Sequence, residues 1–149
     1  MKAWKVEKIE TDDLWAAQEL LSKYDLPTDG LDETELWCVR NDDGGLIGIA
    51  GLETWRRQGL LRSVVVESKR RRSGVGKALV EHVLEEAMKR RLAELFLLTE
   101  TASRFFGRLG FKPFERRNVT GDVLRSAEFR EACPETAPVM RLALRQYSH

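Results

Sequence analysis

The stretch from Val66 to Lys77 constrains this chain more than any other. An apolar run over residues 60–66 ends there, Lys69, Arg70, Arg71 and Arg72 follow, Gly74 and Gly76 flank Val75, and a helical apolar pattern then begins. Any fold must therefore bring a strand end, a glycine-bearing bend and a helix start to one point. Glycine lets the backbone approach a ligand closely, and the first N–H groups of a helix have no intrahelical acceptor, so they face outward toward negative oxygens. The cations add long-range attraction. The layout is that of an anion cradle, and the chain is expected to hold a phosphate-bearing cofactor there.

Two familiar phosphate loops fail on chemistry. A P-loop requires G-x-x-x-x-G-K-[ST]. Gly76-Lys77 is present, but Ala78 stands where a magnesium-binding hydroxyl is needed and Arg71 where the first glycine is needed. A dinucleotide fingerprint requires G-x-G-x-x-G. Gly74 and Gly76 fit, but Leu79 occupies the third glycine and blocks close helix packing.

Composition bounds the rest. With 149 residues the chain is expected to form one domain, residues 1–149, large enough for a proper core. A net charge of +1 argues against a molecule built for nucleic acid or a membrane surface, because the positive charge is local to Lys69–Arg72. No apolar stretch reaches the length that spans a bilayer, and Met1-Lys2-Ala3-Trp4-Lys5 lacks a signal-peptide core. Cys38 and Cys133 are two distant thiols, and His82 and His149 lack partners at ligand spacing. No metal site is expected, Cys133 reads as a small buried apolar residue, and the default location is the cytoplasm.

The chain carries no repeat or linker. Trp4, Val6 and Ile9 suggest a first strand. Thr11 is placed to cap a helix with Leu14, Ala17, Leu21 and Tyr24 on one face, broken by Pro27 to Gly30. Residues 36–40 and 46–54 read as strands around the turn at 41–45, and 60–67 as a third. A helix follows from Gly74 to about Arg90. Leu95-Phe96-Leu97-Leu98 is a continuous apolar run, as in a strand covered on both faces. Ala102, Phe105, Phe106 and Leu109 make a helical face ended by Gly110, Ser126 is placed to cap a short helix before Pro134, and residues 139–144 close the chain as a strand. The predicted class is α/β (α+β): a mixed, mostly antiparallel sheet with helices on both faces.

Arg71-Arg72-Ser73-Gly74-Val75-Gly76 fits [RQ]-x-x-G-x-[GA] and resembles the pyrophosphate loop of the GCN5-related N-acetyltransferases (GNAT). Phe105-Phe106-Gly107-Arg108-Leu109-Gly110-Phe111 is similar to that family's helix and Leu-Gly-Phe turn, and the element order agrees along the whole chain. Leu61-Arg62-Ser63-Val64, Leu98-Thr99-Glu100-Thr101-Ala102, Glu128-Phe129 with Cys133-Pro134, and Val139-Met140 resemble the arsenic-resistance-associated members. The resemblance implies acetyl-coenzyme A as cofactor and an acceptor amine on a small amino-acid analogue such as arsinothricin or phosphinothricin. It also implies that a homodimer is an available assembly, although nothing in the sequence compels one.

On the family reading, the backbone of Val64, Val65 and Val66 pairs with the pantetheine arm like an added strand. N–H groups of Arg71, Arg72, Ser73, Gly74, Val75, Gly76 and Lys77 hold the pyrophosphate, and an N–H near Val65 polarises the thioester carbonyl. A free amine is mostly protonated at neutral pH, so a base is expected. Glu53 is the first candidate and Glu100, just after the fifth strand, its rival; the plain alternative for Glu53 is an exposed strand carboxylate. Where many members carry a tyrosine acid, this chain has Phe106, so Phe105 and Phe106 read as core and cofactor wall. Arg62, in an otherwise apolar strand, needs a partner. That partner is either a substrate carboxylate or a structural acid, Glu53 among them. Thr99 and Thr101 offer hydroxyls to substrate or cofactor, or Thr101 caps the following helix. Arg116 and Arg117 read as solvated. The competing functions are a protein N-terminal or lysine acetyltransferase and a non-catalytic coenzyme A-binding module. A nucleic-acid role for Lys69–Arg72 is the weakest.

Overall fold

A computed structural model describes the backbone of residues 4–132 and 136–144, and the side chains in those ranges except Glu131 and Ala132. Cys133, Pro134 and His149 lie outside the described residues, so the readings placed on them are not addressed by it. Seven strands make one sheet in the order β1-β2-β3-β4-β5-β7-β6. They are β1 (Glu7–Lys8), β2 (Glu35–Arg40), β3 (Leu46–Trp55), β4 (Gln58–Val66), β5 (Glu94–Leu98), β6 (Lys112–Phe114) and β7 (Val139–Ala143). The α-helices are α1 (Leu14–Lys23), α2 (Val75–Lys89) and α3 (Ser103–Arg108). Every neighbouring pair is antiparallel except β4 and β5. Parallel strands need a crossover, and α2 provides it. The expected mixed sheet with helices on both faces is what forms.

Apolar spacing decides which face each helix covers. Val75, Leu79, Val80, Val83 and Ala87 of α2 pack with Phe106 of α3 against Ile47, Leu52, Leu61, Leu95 and Leu97. On the opposite face, Ala17, Leu20 and Leu21 of α1 meet Leu36, Cys38, Ile49 and Val65. The rest of that second face is covered by the segment after β6, with Val119, Val123 and Phe129 against Leu60, Phe96 and Val139. A seam runs between these two coverings, over β3 and β4.

Some local expectations need correction. The first strand shrinks to Glu7–Lys8, since only these pair with Cys38 and Trp37 of β2. Thr11 does not cap α1; residues Thr11–Asp13 form a 3-10 turn, and α1 begins at Leu14 with no side-chain cap. Strand β6 escaped notice because it is three residues long and contains Pro113, and it survives as an edge pairing only with β7. Ser126 does cap: its Oγ accepts the Phe129 N–H at 3.2 Å, although the turns that follow, Glu128–Ala132, are of π type.

Candidate functional site

The sheet opens in its middle. β4 and β5 pair only through Gln58–Glu94, Gly59–Leu95 and Leu60–Phe96. Beyond Leu60, β4 continues to Val66 bonded to β3, while β5 continues to Leu98 bonded to β7. One edge of β4 is thereby left without a strand partner. A bulge sits where the separation begins. Ile49 faces Val65 but Gly51 faces Arg62, so two residues of β4, Ser63 and Val64, oppose the single Ala50. Ser63 takes φ +59°, the left-handed region that non-glycine residues rarely enter.

The bulge resets which side chain faces where. Leu60 and Arg62 point to the α1 face, whereas past the bulge Val65 takes that face and Val64 and Val66 turn to the α2 side. Backbone groups alternate too. The Glu67 N–H donates to the Ile47 carbonyl at 2.8 Å, which puts Glu67 and Val65 on the β3 ladder and turns Val64 and Val66 toward the opening. The polar groups at the free edge are those of Val64 and Val66. Val65 was expected to contribute with them, but its own N–H and carbonyl are directed at β3.

The cradle lies at the end of that edge. After a 3-10 turn at Ser68–Arg70, Arg72 adopts φ +67° and Gly74 φ +93°, and α2 starts with no side-chain cap. Ala78 is the first residue of the helix to donate back, to Gly74 at 3.0 Å. Among the described residues no backbone acceptor receives the N–H of Gly74, Val75, Gly76 or Lys77. Four donors converging at a helix start form an anion site by geometry alone. Gly74 provides a backbone conformation that a Cβ would strain. Gly76 is bracketed: a Cβ there would lie 3.2 Å from Phe105 Cζ and 3.5 Å from Val66 Cγ2. Trp4, which the sequence reading left in a strand, donates its indole N–H to the Ser73 carbonyl at 2.9 Å. The Ser73 hydroxyl bonds the Arg70 carbonyl. Arg71 donates from Nε to the Val66 carbonyl at 3.2 Å and lies over the Tyr24 ring. Arg72, Ser73 and Lys77 are exposed.

At the seam on the α1 face, beside the bulge, is a buried ionic cluster. Arg62 is 2 % exposed, Glu53 7 % and Glu128 4 %. Arg62 donates to Glu53 Oε2 at 2.9 Å and from Nε to Ser63 Oγ at 3.0 Å, with Glu128 Oε2 3.4 Å from the same Nε. Its remaining nitrogen reaches the Pro27 carbonyl at 3.5 Å. Thr34 also donates to Glu53 Oε2, at 3.1 Å. Buried charge is tolerated only when paired and hydrogen-bonded, and here it is both. Of the two partners weighed for Arg62, the protein acid is present. Glu53 is not the exposed strand carboxylate of the plain alternative. The cluster is roofed by residues 27–34 on one side and 126–129 on the other. Gly30, at φ +73°, fits because a Cβ would stand 3.1 Å from Ala127 and 3.3 Å from Arg62.

The other candidates divide. Glu100 and Thr101 are exposed just past β5. Thr99, not Thr101, secures the start of α3, its Oγ1 accepting the Ala102 N–H at 2.9 Å. Phe106 is core, in edge contact with Phe111 at 6.0 Å, while Phe105 is half-buried at the cradle wall. Arg116 is not merely solvated: it donates to the Phe129 carbonyl at 3.1 Å and stacks on that ring at 5.4 Å. Cys38 is buried, and desolvation pushes its thiol pKa up, which suits packing and not reactivity. Sequence reasoning missed Tyr24, Pro27 and Thr34 as parts of the site, since Tyr24 had been absorbed into a helix face, Pro27 into a chain break, and Thr34 into no element. Glu128 had entered only through a resemblance. No spacing signal links these residues to β4, because they meet it only through the tertiary fold.

Residues 32–113, more than half of the chain, match the family model described as "Acetyltransferase (GNAT) domain". An amino-acid acetyltransferase of Mycobacterium tuberculosis is 33 % identical over 92 residues, which are 60 % of this chain and 52 % of that protein. The chain thus spans about half the length of that curated relative. Among solved structures, Mycobacterium tuberculosis Rv2747 in complex with CoA and NLQ superposes with TM-score 0.78 and 27 % identity, over 93 % of this chain and 98 % of that one. N-acetylglutamate synthase from Neisseria gonorrhoeae, complexed with coenzyme A and N-acetyl-glutamate, gives TM-score 0.79 at 16 % identity, over 97 % of this chain and 36 % of that one, a likeness of fold. A parallel pair that splays after three residues, a bulge at the point of separation and a cradle of helix-start donors beyond it sit inside the matched region. The chain belongs to the GNAT acetyltransferase family.

Proposed function

We propose that residues 1–149 act as one domain, an acetyl-CoA-dependent N-acetyltransferase whose acceptor is the amine of a small molecule, an amino acid or an amino-acid analogue. The observation that carries this is the free edge of β4 leading into the Gly74–Lys77 cradle. An extended amide-bearing arm matches the edge, and a diphosphate matches the donors. The likeness to an amino-acid acetyltransferase and to a CoA complex supports the same reading. A cytoplasmic setting, where acetyl-CoA is available, belongs to the proposal.

When bound, acetyl-CoA supplies an acyl thioester, already activated for transfer to nitrogen. The work left to this chain is binding, alignment and proton removal. Backbone groups of Val64 and Val66 hold the arm along β4, with Val65 fixing the strand to β3. N–H groups of Gly74, Val75, Gly76 and Lys77 hold the diphosphate, those of Arg71 and Ser73 being taken by the Ser68 and Arg70 carbonyls, and Phe105 walls the cradle while Phe106 supports it from the core. An N–H at the bulge, beside Val65, donates to the developing oxyanion. Glu53 is the proposed proton acceptor from the amine, directly or through water, held by Arg62 and Thr34; exposed Glu100 is the alternative at the far lip of the opening. Thr99 and Thr101 border the acceptor side. No acid is placed where Phe106 stands. Coenzyme A's thiol, near the cysteine value of about 8.5, leaves tolerably well as thiolate.

As to the acceptor, the segment motifs around Arg62, Glu100 and Glu128 support arsinothricin and phosphinothricin as candidates alongside glutamate and methionine sulfoximine. Thiol release from acetyl-CoA with these four, with plain amines and with a peptide N-terminus tests the proposal. Turnover of an amino acid supports it, peptide turnover alone would redirect it to protein acetylation, and no turnover with measurable CoA binding would leave a binding module.

A further inference from the structure

Tyr24 stands where the cofactor loop and the acceptor-side covering meet. It follows α1 directly, and its half-buried ring packs against the α1-side core. Its hydroxyl accepts the Ser68 N–H at 2.9 Å and donates to Glu67 Oε2 at 3.2 Å. That carboxylate also receives Lys23 Nζ at 3.1 Å, and this hydrogen bond to Glu67 raises the lysine's pKa. The Arg71 guanidinium lies over the ring, 5.1 Å from its centroid, and donates to the Val66 carbonyl. One side chain therefore touches Glu67, the residue just past β4, the first turn of the loop and the first residue of the glycine motif. At the next residue the backbone passes Asp25, at φ +58°, and then reaches the stretch whose Pro27 carbonyl receives Arg62 and whose Thr34 holds Glu53. A ring that served only to fill the core would need neither the hydroxyl bonds nor the stacked cation.

We infer that Tyr24 is a positioning residue that aims the diphosphate-binding loop and ties it to the α1–β2 connection, so that the two halves of the site are set by one side chain. The hydroxyl fixes the Ser68 turn, and the ring fixes Arg71 against β4. The Gly74–Lys77 donors that follow then face a diphosphate in a set orientation. The inference rests on the proposed acetyl-CoA reading.

The test is calorimetric binding of CoA to the 149-residue chain, with pantetheine, which lacks the diphosphate and nucleotide, measured by displacement of CoA. Tyr24→Phe keeps the ring over Arg71 and loses both hydroxyl bonds; Tyr24→Leu loses both functions. The Kd for CoA is expected to rise about fivefold in Tyr24→Phe and about fivefold further in Tyr24→Leu. The Kd for pantetheine is expected to stay within about twofold, because the β4 edge is intact. In an Arg71→Ala background the difference between Phe and Leu at position 24 is expected to vanish, since no cation remains to be aimed. Equal weakening of CoA and pantetheine would show general damage to the fold and overturn the inference, as would unchanged CoA affinity in both variants. Wild-type protein that takes up no CoA overturns the functional reading and this inference together, whereas wild-type binding with indifferent Tyr24 variants overturns the inference alone.

Discussion

Replacing Arg62 separates a structural role for the buried cluster from a substrate role. Arg62→Met removes the guanidinium that joins Glu53 on β3, Ser63 at the bulge, Glu128 on the π turn and the Pro27 carbonyl. Two carboxylates that are 7 % and 4 % exposed then lose the cation they share. Removing one partner of a buried pair costs about 3–5 kcal/mol. For a chain of this length each kcal/mol moves the melting temperature by about 2–4 °C, so a fall of roughly 6–20 °C is expected. Arg62→Lys keeps the charge but cannot reach four acceptors with one ammonium, and is expected to lie between, about 1–3 kcal/mol down. Adding Glu53→Gln to Arg62→Met is expected to cost less than the two single losses together, with a coupling of about 0.5–3 kcal/mol. Urea titration and scanning calorimetry give these values, and KM is measured in parallel for acceptors with and without a carboxylate. The expected result is lower stability with KM rising equally for both acceptor types. A stability loss below about 1 kcal/mol, combined with a KM rise confined to carboxylate-bearing acceptors, would refute the reasoning and assign Arg62 to the substrate.

Gly74→Trp is expected to abolish CoA binding by calorimetry while far-UV circular dichroism stays unchanged, because Gly74 holds φ +93° at the mouth of the cradle; normal affinity would contradict the cradle. Glu53→Gln is expected to lower the rate at neutral pH and to recover at alkaline pH, where the amine arrives deprotonated without help, and an unchanged pH–rate profile would clear Glu53 of base duty. Arg91 follows α2 at φ +57°, where glycine is preferred, so Arg91→Gly is expected to raise stability by about 0.5–1 kcal/mol in urea titration; a loss would show that its side chain matters more than the backbone. Glu35 accepts two bonds from Arg90, which hold its carboxyl pKa below the ordinary range. A depressed carboxylate stabilises above its unfolded value, near about 4.3, and the gain is lost as pH falls through the lower folded value. Glu35→Gln is therefore expected to cost up to about 1 kcal/mol at neutral pH and progressively less on acidification, and a cost that persists in acid would point to packing instead of charge.

Much of the framework was legible because it depends on local pattern. The run from β4 through the Arg71–Gly76 bend into α2 shows in the sequence as an apolar stretch, two glycines and a 3.6-residue repeat. Leu95-Phe96-Leu97-Leu98 reads as a strand buried on both faces because α2 covers Leu95 and Leu97 while Val119, Val123 and Phe129 cover Phe96 and Leu98. What was illegible depends on a neighbour. The Ser63 bulge leaves no mark in Leu61-Arg62-Ser63-Val64, since the extra residue is extra only relative to β3. Residues 115–132 have no period to read: they are short 3-10 and π turns pinned by single contacts, as where Gln58 bonds the Thr120 carbonyl and the Val123 N–H. Tyr24 looked like one more apolar position of α1, and only its placement beside Ser68 and Arg71 shows that its polar end is used. The pairing of Arg62 with Glu53 was open in sequence because the residues stand on adjacent strands in a diagonal register set by the Arg56-Arg57 turn.

The inserted residue at Ser63 works as a phase shift in an in-and-out code. Ahead of it, even-numbered positions of β4 look toward α1; behind it, even-numbered positions look toward α2. Pairing every residue of β4 one-to-one with β3, with Ser63 kept, would trade the layers and drive Val64 and Val66 toward the ionic seam. A designer who wants a different acceptor must leave β4 alone and rework the two flaps above the seam, residues 27–34 and 126–129, which can be recut without disturbing that code.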